Sequence, residues 1–425
     1  MRKTLVLFCF FFATNSFSQD INYARFIIDT LASPSMEGRG YVNDGVRKAA
    51  AFIRNEFLKD GLLSFGNDYY QSFDLAINTL PGKADISIGK KPLIPGTDYL
   101  VASTSPTLKG EFPIVILNKR ILKSKSRYKR FSYCDYSQKV IFVDKKGITD
   151  KKQTGLTDSL RKYNFLKAAA LVFVNDNKLT WSISSASKQL PYAIIDIKRE
   201  ALPEKPASIA LDIEAYFEKA YTTQNVIGYV RGSIQPDSFL VFTAHYDHLG
   251  RMGNRTYFPG ANDNASGTAM LLDLAKHYSQ PDHQPKCSMI FIAFTGEERG
   301  LLGSKYMAYH SFFPLASVRF LMNLDMVGTG SEGVTMVNAT EFPKAFDLMT
   351  KINAGNEYVL TVKKRGESCN SDHCPFYEKK VPAVFIYSLG KEYTEYHNIY
   401  DRADLIPLSE YSDIFRLVRD FMDEW

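Results

Sequence analysis

The feature that most constrains this chain is an alternation running through its second half. Short apolar runs take turns with longer amphipathic segments: NVIGYV, FLVFTA, the helical SGTAMLLDLAKHY, MIFIAF, the helical EERGLLGSKYMAYH, RFLMNLDM, a helix near Lys344, VPAVFIYS and a terminal helix over 409–423. Such alternation predicts an α/β fold, a mostly parallel sheet sandwiched by helices. Open sheets of this kind bind ligands outside the carboxyl ends of their strands. His245, Glu297, Glu298 and Asp325 each follow the end of a strand run, and His397 lies in the stretch after VPAVFIYS.

Glu297 and Glu298 stand together in FTGEERGLLGS, directly after the apolar run 288–294. Neighbouring carboxylates at ~4 Å repel by several kcal/mol once water is partly excluded, so a divalent cation is their natural compensator. His245 in TAHYDHLG, Asp263 in PGANDNASG, Asp325 in MNLDMVG and His397 in EYHNIYDRAD supply partners. Imidazole plus carboxylate without thiolate suits zinc in a catalytic role. Five ligands exceed what one tetrahedral catalytic zinc uses, but they suit two ions that share a carboxylate and leave one Glu over as general base. Each residue alone also has an ordinary reading: a hydrogen-bonded histidine, a turn aspartate, acidic residues at a helix N-terminus, a strand cap. All of them in this order make a metal site the better reading.

The order His, Asp, Glu-Glu, Asp, His resembles the co-catalytic di-zinc aminopeptidase family, which also includes glutamate carboxypeptidase and glutaminyl cyclase. The likeness covers residues 225–425 and, near the N-terminus, the stretch IDTLASPSMEGRGYVNDGVRKAAAFIRNEF. It implies that His245 and Asp325 hold one zinc, Glu298 and His397 the other, and Asp263 bridges them. It also implies that Glu297 is the base taking a proton from a metal-bridged water and handing it to the leaving amine. Asp247 matches a carboxylate that orients a ligand histidine, and Tyr396 a phenol that donates to the tetrahedral oxyanion. Asp401, four residues after His397, could orient that histidine in the same way, but only its place in the loop speaks for it and it is not counted among the site residues. His248 falls outside the family's ligand pattern, and Asp372 and His373 in SDHCPF read as pocket wall or support.

The resemblance thus implies a zinc-dependent metallopeptidase, an aminopeptidase removing N-terminal residues from peptides. Three alternatives stand beside it. A carboxypeptidase acting on acidic dipeptides would need a cation to clamp a free carboxylate, with Arg365 and Lys391 as candidates. A glutaminyl cyclase uses similar ligands, and a noncatalytic binding module would be expected to have lost some of them, whereas this chain keeps five and the base.

Residues 1–18 read as a signal peptide: Arg2 and Lys3, an apolar run, then small residues, with cleavage before Gln19. A secreted or periplasmic protein is expected, without a membrane span, since the run is too short and no later stretch approaches ~20 apolar residues. Residues 19–80, helical over 21–62, read as the first part of the peptidase domain. Residues 81–217 read as a β-rich insert built from runs such as ADISIG, FPIVIL, KVIFVD and LVFVN, which resembles a protease-associated domain. Residues 218–425 are the zinc peptidase domain. Cys369 and Cys374 in ESCNSDHCPF are spaced for a small disulfide loop, and Cys287 reads as a free cysteine in an interior strand.

The net charge of +6 falls to about +4 without Arg2 and Lys3 (6 − 2), too mild to point to a nucleic-acid partner. The basic run KRILKSKSRYKR, 119–130, reads as a solvated loop. GTGSEG fits a dinucleotide fingerprint but runs into the strand pattern VTMVN rather than a helix, and the sequence contains neither HEXXH nor G-x-S-x-G.

Overall fold

Residues 20–425 are described by a computed structural model; the signal-peptide reading at 1–18 lies outside the described residues. Asp20 caps helix α1 (Ile21–Leu31) by accepting from the Asn22 amide, and α2 (Gly45–Lys59) follows. Both helices bury residues three and four apart, Ala24, Ile27, Ile28 and Leu31 on the first and Val46, Ala49, Ala50, Ile53 and Phe57 on the second. The helical periodicity over 21–62 is therefore real but broken. Pro34–Arg39 forms a tight turn with Gly38 at φ +65°, which no continuous helix accommodates.

After β1 (Tyr70–Thr79) the chain departs to build a second sheet. Its strands are β2 (Ala84–Ile88), β3 (Lys91–Pro92), β4 (Tyr99–Val101), β5 (Leu108–Leu117), β6 (Val140–Asp144), β7 (Ala170–Asn175), β8 (Ala193–Lys198) and β9 (Ser208–Ile213). Strands β5 to β8 run parallel in sequence order, with β9, β2 and β3 antiparallel on one side and β4 on the other. Helices α3 (Lys119–Leu122), α4 (Lys125–Ser132) and α5 (Lys151–Tyr163) lie between β5 and β7. The basic run is thus two short helices rather than a loop. Asn118 and Ser124 cap them, Lys and Arg are good helix formers, and Phe131 is the one buried residue.

The first sheet resumes with β10 (Tyr216–Val230), β11 (Gln235–His245), helix α6 (Gly267–Ser279), β12 (Cys287–Phe294), α7 (Leu302–Tyr309), β13 (Val318–Leu324) and β14 (Gly333–Val337). It closes with α8 (Pro343–Asn356), β15 (Val362–Lys364), α9 (Cys374–Glu378), β16 (Ala383–Leu389) and α10 (Tyr411–Glu424). The order across the sheet is β1-β10-β12-β11-β13-β16-β14-β15, and its centre, β12-β11-β13-β16, is parallel. Along β12, Met289, Phe291 and Ala293 join the core that includes α1, α2, α6 and α10. Ile290, Ile292 and Phe294 join a second cluster with Met307 of α7 and Phe376 of α9. Both faces are covered, which is why the strand reads as an uninterrupted apolar run. Among the described residues no helix is long and apolar enough to cross a membrane.

Register sets where the chemistry comes out. His245 pairs with Phe294, and Thr243 with Asn323, so His245, Glu297 and Asp325 leave adjacent parallel strands at one edge.

His277 in the last turn of α6 stacks on His283 at 4.0 Å and meets Phe415 of α10 edge-on. Burial, then the charges of His283 and Arg419, pulls its imidazole down to about 3. An unfolded histidine titrates near ~6.5, so between these values the unfolded chain takes up the proton that the folded one refuses. The stability this histidine contributes is complete above ~6.5 and is lost as pH falls towards about 3. The melting temperature should fall more steeply between pH ~6.5 and ~4 in the natural protein than in His277→Gln. Parallel slopes in a thermal-denaturation series would show that this site does not carry the acid sensitivity.

Candidate metal centre

Five side chains converge at that edge. His245 ends β11, Asp325 follows β13, Glu298 stands in the turn after β12, Asp263 precedes α6, and His397 lies between β16 and α10. His245 Nε2 is 3.3 Å from Asp263 Oδ1 and 3.5 Å from Asp325 Oδ1. His397 Nε2 is 2.9 Å from Asp263 Oδ2 and 3.3 Å from Glu298 Oε2. Asp263 therefore turns one carboxylate oxygen to each of two histidine–carboxylate sets, and Glu297 stands beside them outside both. The expected helix over EERGLLGSKYMAYH begins only at Leu302: Gly296 at φ +72° and Leu301 at φ +63° turn the chain, so the Glu pair sits on a turn rather than on a first helical turn.

Burial and charge pull against each other throughout this cluster. Burial disfavours charge on His397, but the Glu298 and Asp263 carboxylates overcome it and raise the imidazole to about 11. His245 is likewise raised, by Asp325 and Glu297, against its own burial. Glu298 falls to about 2 despite burial because His397 and His248 face it, and Asp263 is driven down by bonds to His245 and His397. Glu297 moves the other way, pushed up by burial first and then by the neighbouring Glu298, Asp372 and Asp325 carboxylates. Donor atoms of His245, Asp263 and Asp325 lie within 4.8 Å of one another, as do those of His248, Asp263 and Glu298. Two buried polar atoms here, Asp247 Oδ2 and His248 Nε2, have no hydrogen-bond partner among the described residues. Nitrogen and oxygen donors, excess buried carboxylate and a shared Asp263 fit a pair of divalent cations, with zinc suited to the imidazoles.

Several supporting contacts differ from the sequence reading. The His245 Nδ1 group donates to the main-chain oxygen of Asp247 at 3.1 Å, whereas the Asp247 carboxylate stands 3.8 Å off and accepts from the Glu297 amide. Either way Nδ1 carries the proton and Nε2 is free to ligate. Asp401 does not reach His397. Its oxygens accept from the Asn262 and Asp263 amides and from Tyr393 Oη, so it holds the bridging loop. His248, set aside on family pattern, is fully buried with Nδ1 2.8 Å from Glu298 Oε1, leaving Glu298 flanked by two histidines.

Asn264 accepts from the Gly267 and Met326 amides and donates to the Leu324 carbonyl, tying the Asp263 loop to the end of β13. Gly260, at φ +62°, lets that loop approach: a Cβ there would meet the Asp263 carbonyl at 2.3 Å. Arg39, 0% exposed, donates to five main-chain carbonyls, those of Leu31, Tyr246, Pro259, Gly260 and Asp263. Ser371, in the loop closed by the Cys369–Cys374 disulfide, donates to Asp325 Oδ2 at 2.8 Å. Asp372 accepts from Ser304, and His373 Nε2 bonds the Ser368 carbonyl, so both support the loop from its buried side. Arg39 within MEGRGY and Ser371 within the Cys loop carried no signal of their own, because each acts on residues distant in sequence.

The cluster opens into a cavity of about 220 Å³, room for one amino-acid side chain. Glu297, Tyr396 and His397 line it, together with Met326, Phe385, Tyr387 and Arg365. The Tyr396 ring stacks on His397 with centroids 3.8 Å apart. Of the two cations named for a carboxylate clamp, Arg365 is at this cavity, whereas Lys391 is exposed, paired with Glu332 and away from it.

Residues 225–422, just under half of the chain, match the model of Peptidase family M28. Aminopeptidase YwaD of Bacillus subtilis is 30% identical over 228 residues, 51% of this chain and 47% of that protein. A protein of Pyrenophora teres f. teres named probable zinc metalloprotease is 34% identical over 146 residues, 32% of this chain and 30% of its own length. The chain therefore matches less than half the length of these relatives. Among solved structures, the zinc aminopeptidase BSAP from Bacillus subtilis superposes with a TM-score of 0.71 at 21% identity, covering 96% of this chain and 95% of that one. A peptidase M28 precursor from Shewanella amazonensis gives 0.67 at 17% identity, covering 95% and 93%. At these identities the shared property is the fold, and it extends over both sheets.

Proposed function

We propose that the peptidase family M28 domain carried by residues 225–422 works as a two-zinc aminopeptidase on peptides, exported by the leader read at residues 1–18. The observation that carries this reading is Asp263 offering one carboxylate oxygen to each of two histidine–carboxylate sets, beside a fifth carboxylate, Glu297, that belongs to neither. His245 and Asp325 would hold one ion and His397 and Glu298 the other. Bound zinc supplies a Lewis acid for the scissile carbonyl and a water of lowered pKa. Glu297, its carboxyl raised by burial, then suits a base that accepts the proton of the attacking water and delivers it to the leaving amine. Tyr396, at the cavity wall against His397, is placed to donate to the developing oxyanion. The relative YwaD of Bacillus subtilis, an aminopeptidase by name, supports the amino end over the carboxyl end. The Cys369–Cys374 disulfide supports an oxidising compartment.

Chelation of purified protein should lower turnover of aminoacyl anilides by about 10³-fold or more, with recovery when zinc is added back to two equivalents. N-blocked peptides should remain uncut throughout. Cleavage of blocked peptides with a free carboxyl end would establish the carboxypeptidase reading instead. Cyclisation of N-terminal glutamine without hydrolysis would establish the cyclase.

A further inference from the structure

We propose that Arg365 makes this cavity selective for an acidic side chain on the residue being removed. This rests on the aminopeptidase reading and assigns its substrate class. The cavity lining combines three kinds of group: the ligand carboxylates with Glu297, the apolar surfaces of Met326, Phe385 and Tyr387, and Arg365, the one guanidinium among the lining residues. A residue whose carbonyl is attacked beside Glu297 would lay its side-chain methylenes on those apolar surfaces and present its end to Arg365.

The guanidinium is available for such a partner. Among the described residues it makes no ion pair; its contacts are two long ones to neutral hydroxyls, Nη1 to Tyr387 Oη at 3.5 Å and Nη2 to Ser368 Oγ at 3.4 Å. The backbone beneath it is held, since the Arg365 amide donates to the Met336 carbonyl and its carbonyl accepts from the Ala339 amide. A planar fork on a fixed backbone is suited to receive a carboxylate through two parallel hydrogen bonds, and neutral side chains gain little from it. A lysine or arginine side chain would meet like charge there. Arg365 is solvent-exposed, so the preference should weaken as salt is raised.

The test compares kcat/KM for glutamyl, glutaminyl, leucyl and lysyl anilides with zinc-loaded protein. Glutamyl should exceed its isostere glutaminyl by about ten-fold, mainly through KM. That ratio should collapse towards one in Arg365→Gln and persist in part in Arg365→Lys, whereas Arg365→Glu should favour lysyl over glutamyl substrate. Circular dichroism and zinc content of each variant exclude misfolding as the cause. Equal use of glutamyl and glutaminyl substrates by the natural protein, or a ratio unmoved by Arg365→Gln, would overturn the proposal while leucyl turnover leaves the aminopeptidase reading standing. No cleavage of any anilide, with cleavage of N-blocked peptides ending in a free carboxylate, would sink that reading itself and give Arg365 the clamp role.

Discussion

Glu297→Gln is expected to lower kcat by about 10³-fold while the protein stays folded and keeps its zinc. The substitution preserves shape and volume but leaves an amide that cannot accept a proton, and general-base catalysis of this kind contributes 10²–10⁴-fold. Stability should not suffer. Glu297 is a buried carboxyl pushed up by its surroundings, with Glu298, Asp372 and Asp325 as like-charged neighbours, so removing its charge relieves repulsion in the metal-free protein. Zinc content should be unchanged because Glu297 lies outside both ligand sets. The pair to compare is Glu298→Gln, which should lose metal as well as turnover, since Glu298 Oε2 faces His397 at 3.3 Å. A kcat within ten-fold of the natural protein for Glu297→Gln would assign the base elsewhere.

The second large effect is expected far from the ligands in sequence. Arg39→Met should destabilise the protein by about 5 kcal/mol and weaken zinc binding along with it. Arg39 donates to five carbonyls, three of them on the segment that ends in Asp263 and one at Tyr246, next to His245. Each buried carbonyl left without a donor costs about 1–3 kcal/mol, and relaxation recovers part of the sum. Burial lowers the guanidinium to about 10, while the Asp401, Asp263 and Asp247 carboxylates favour its charge. A methionine fills the space and supplies no donors. A lysine, with three donors on one atom, cannot span carbonyls on three segments, so Arg39→Lys should recover only a minor part. Urea unfolding gives the stability change and titration calorimetry the zinc affinity. A loss under about 1.5 kcal/mol, the scale of one ordinary hydrogen bond, would show that these contacts are not cooperative.

These two residues also mark where sequence reading works and where it stops. Glu297 was legible because its signal is local: two acidic residues immediately past an apolar run, at the edge where parallel strands release their ligands. His245 and Asp325 were legible for the same reason, being the last or next residue of strands buried on both faces. Arg39 offered no such signal. Its nearest partner is Leu31, but the others lie 207 to 224 residues away, and nothing in MEGRGY distinguishes a buried donor from a surface arginine. Asp401 lies near His397 in sequence, where an orienting role is only one option, and its oxygens go instead to amides 138 and 139 residues away. His248 shows the converse, since it lies three residues from His245 and faces Glu298, 50 residues on.

Hydrophobic periodicity along the chain, read from the residues alone, determined the alternating strands and helices, and with them the strand ends at which carboxylates and imidazoles could gather. The chemistry of those residue types determined that a pair of cations suits them. Tertiary structure alone decided which side chains support the ligands, that the basic run is helical and capped, that the Glu pair sits on a turn, and that Arg365 rather than Lys391 reaches the cavity. The physical reason is that burial of apolar surface repeats with the period of the backbone and so leaves a pattern in sequence. A hydrogen bond between distant segments depends on the register and packing that bring them together, and no local pattern records it.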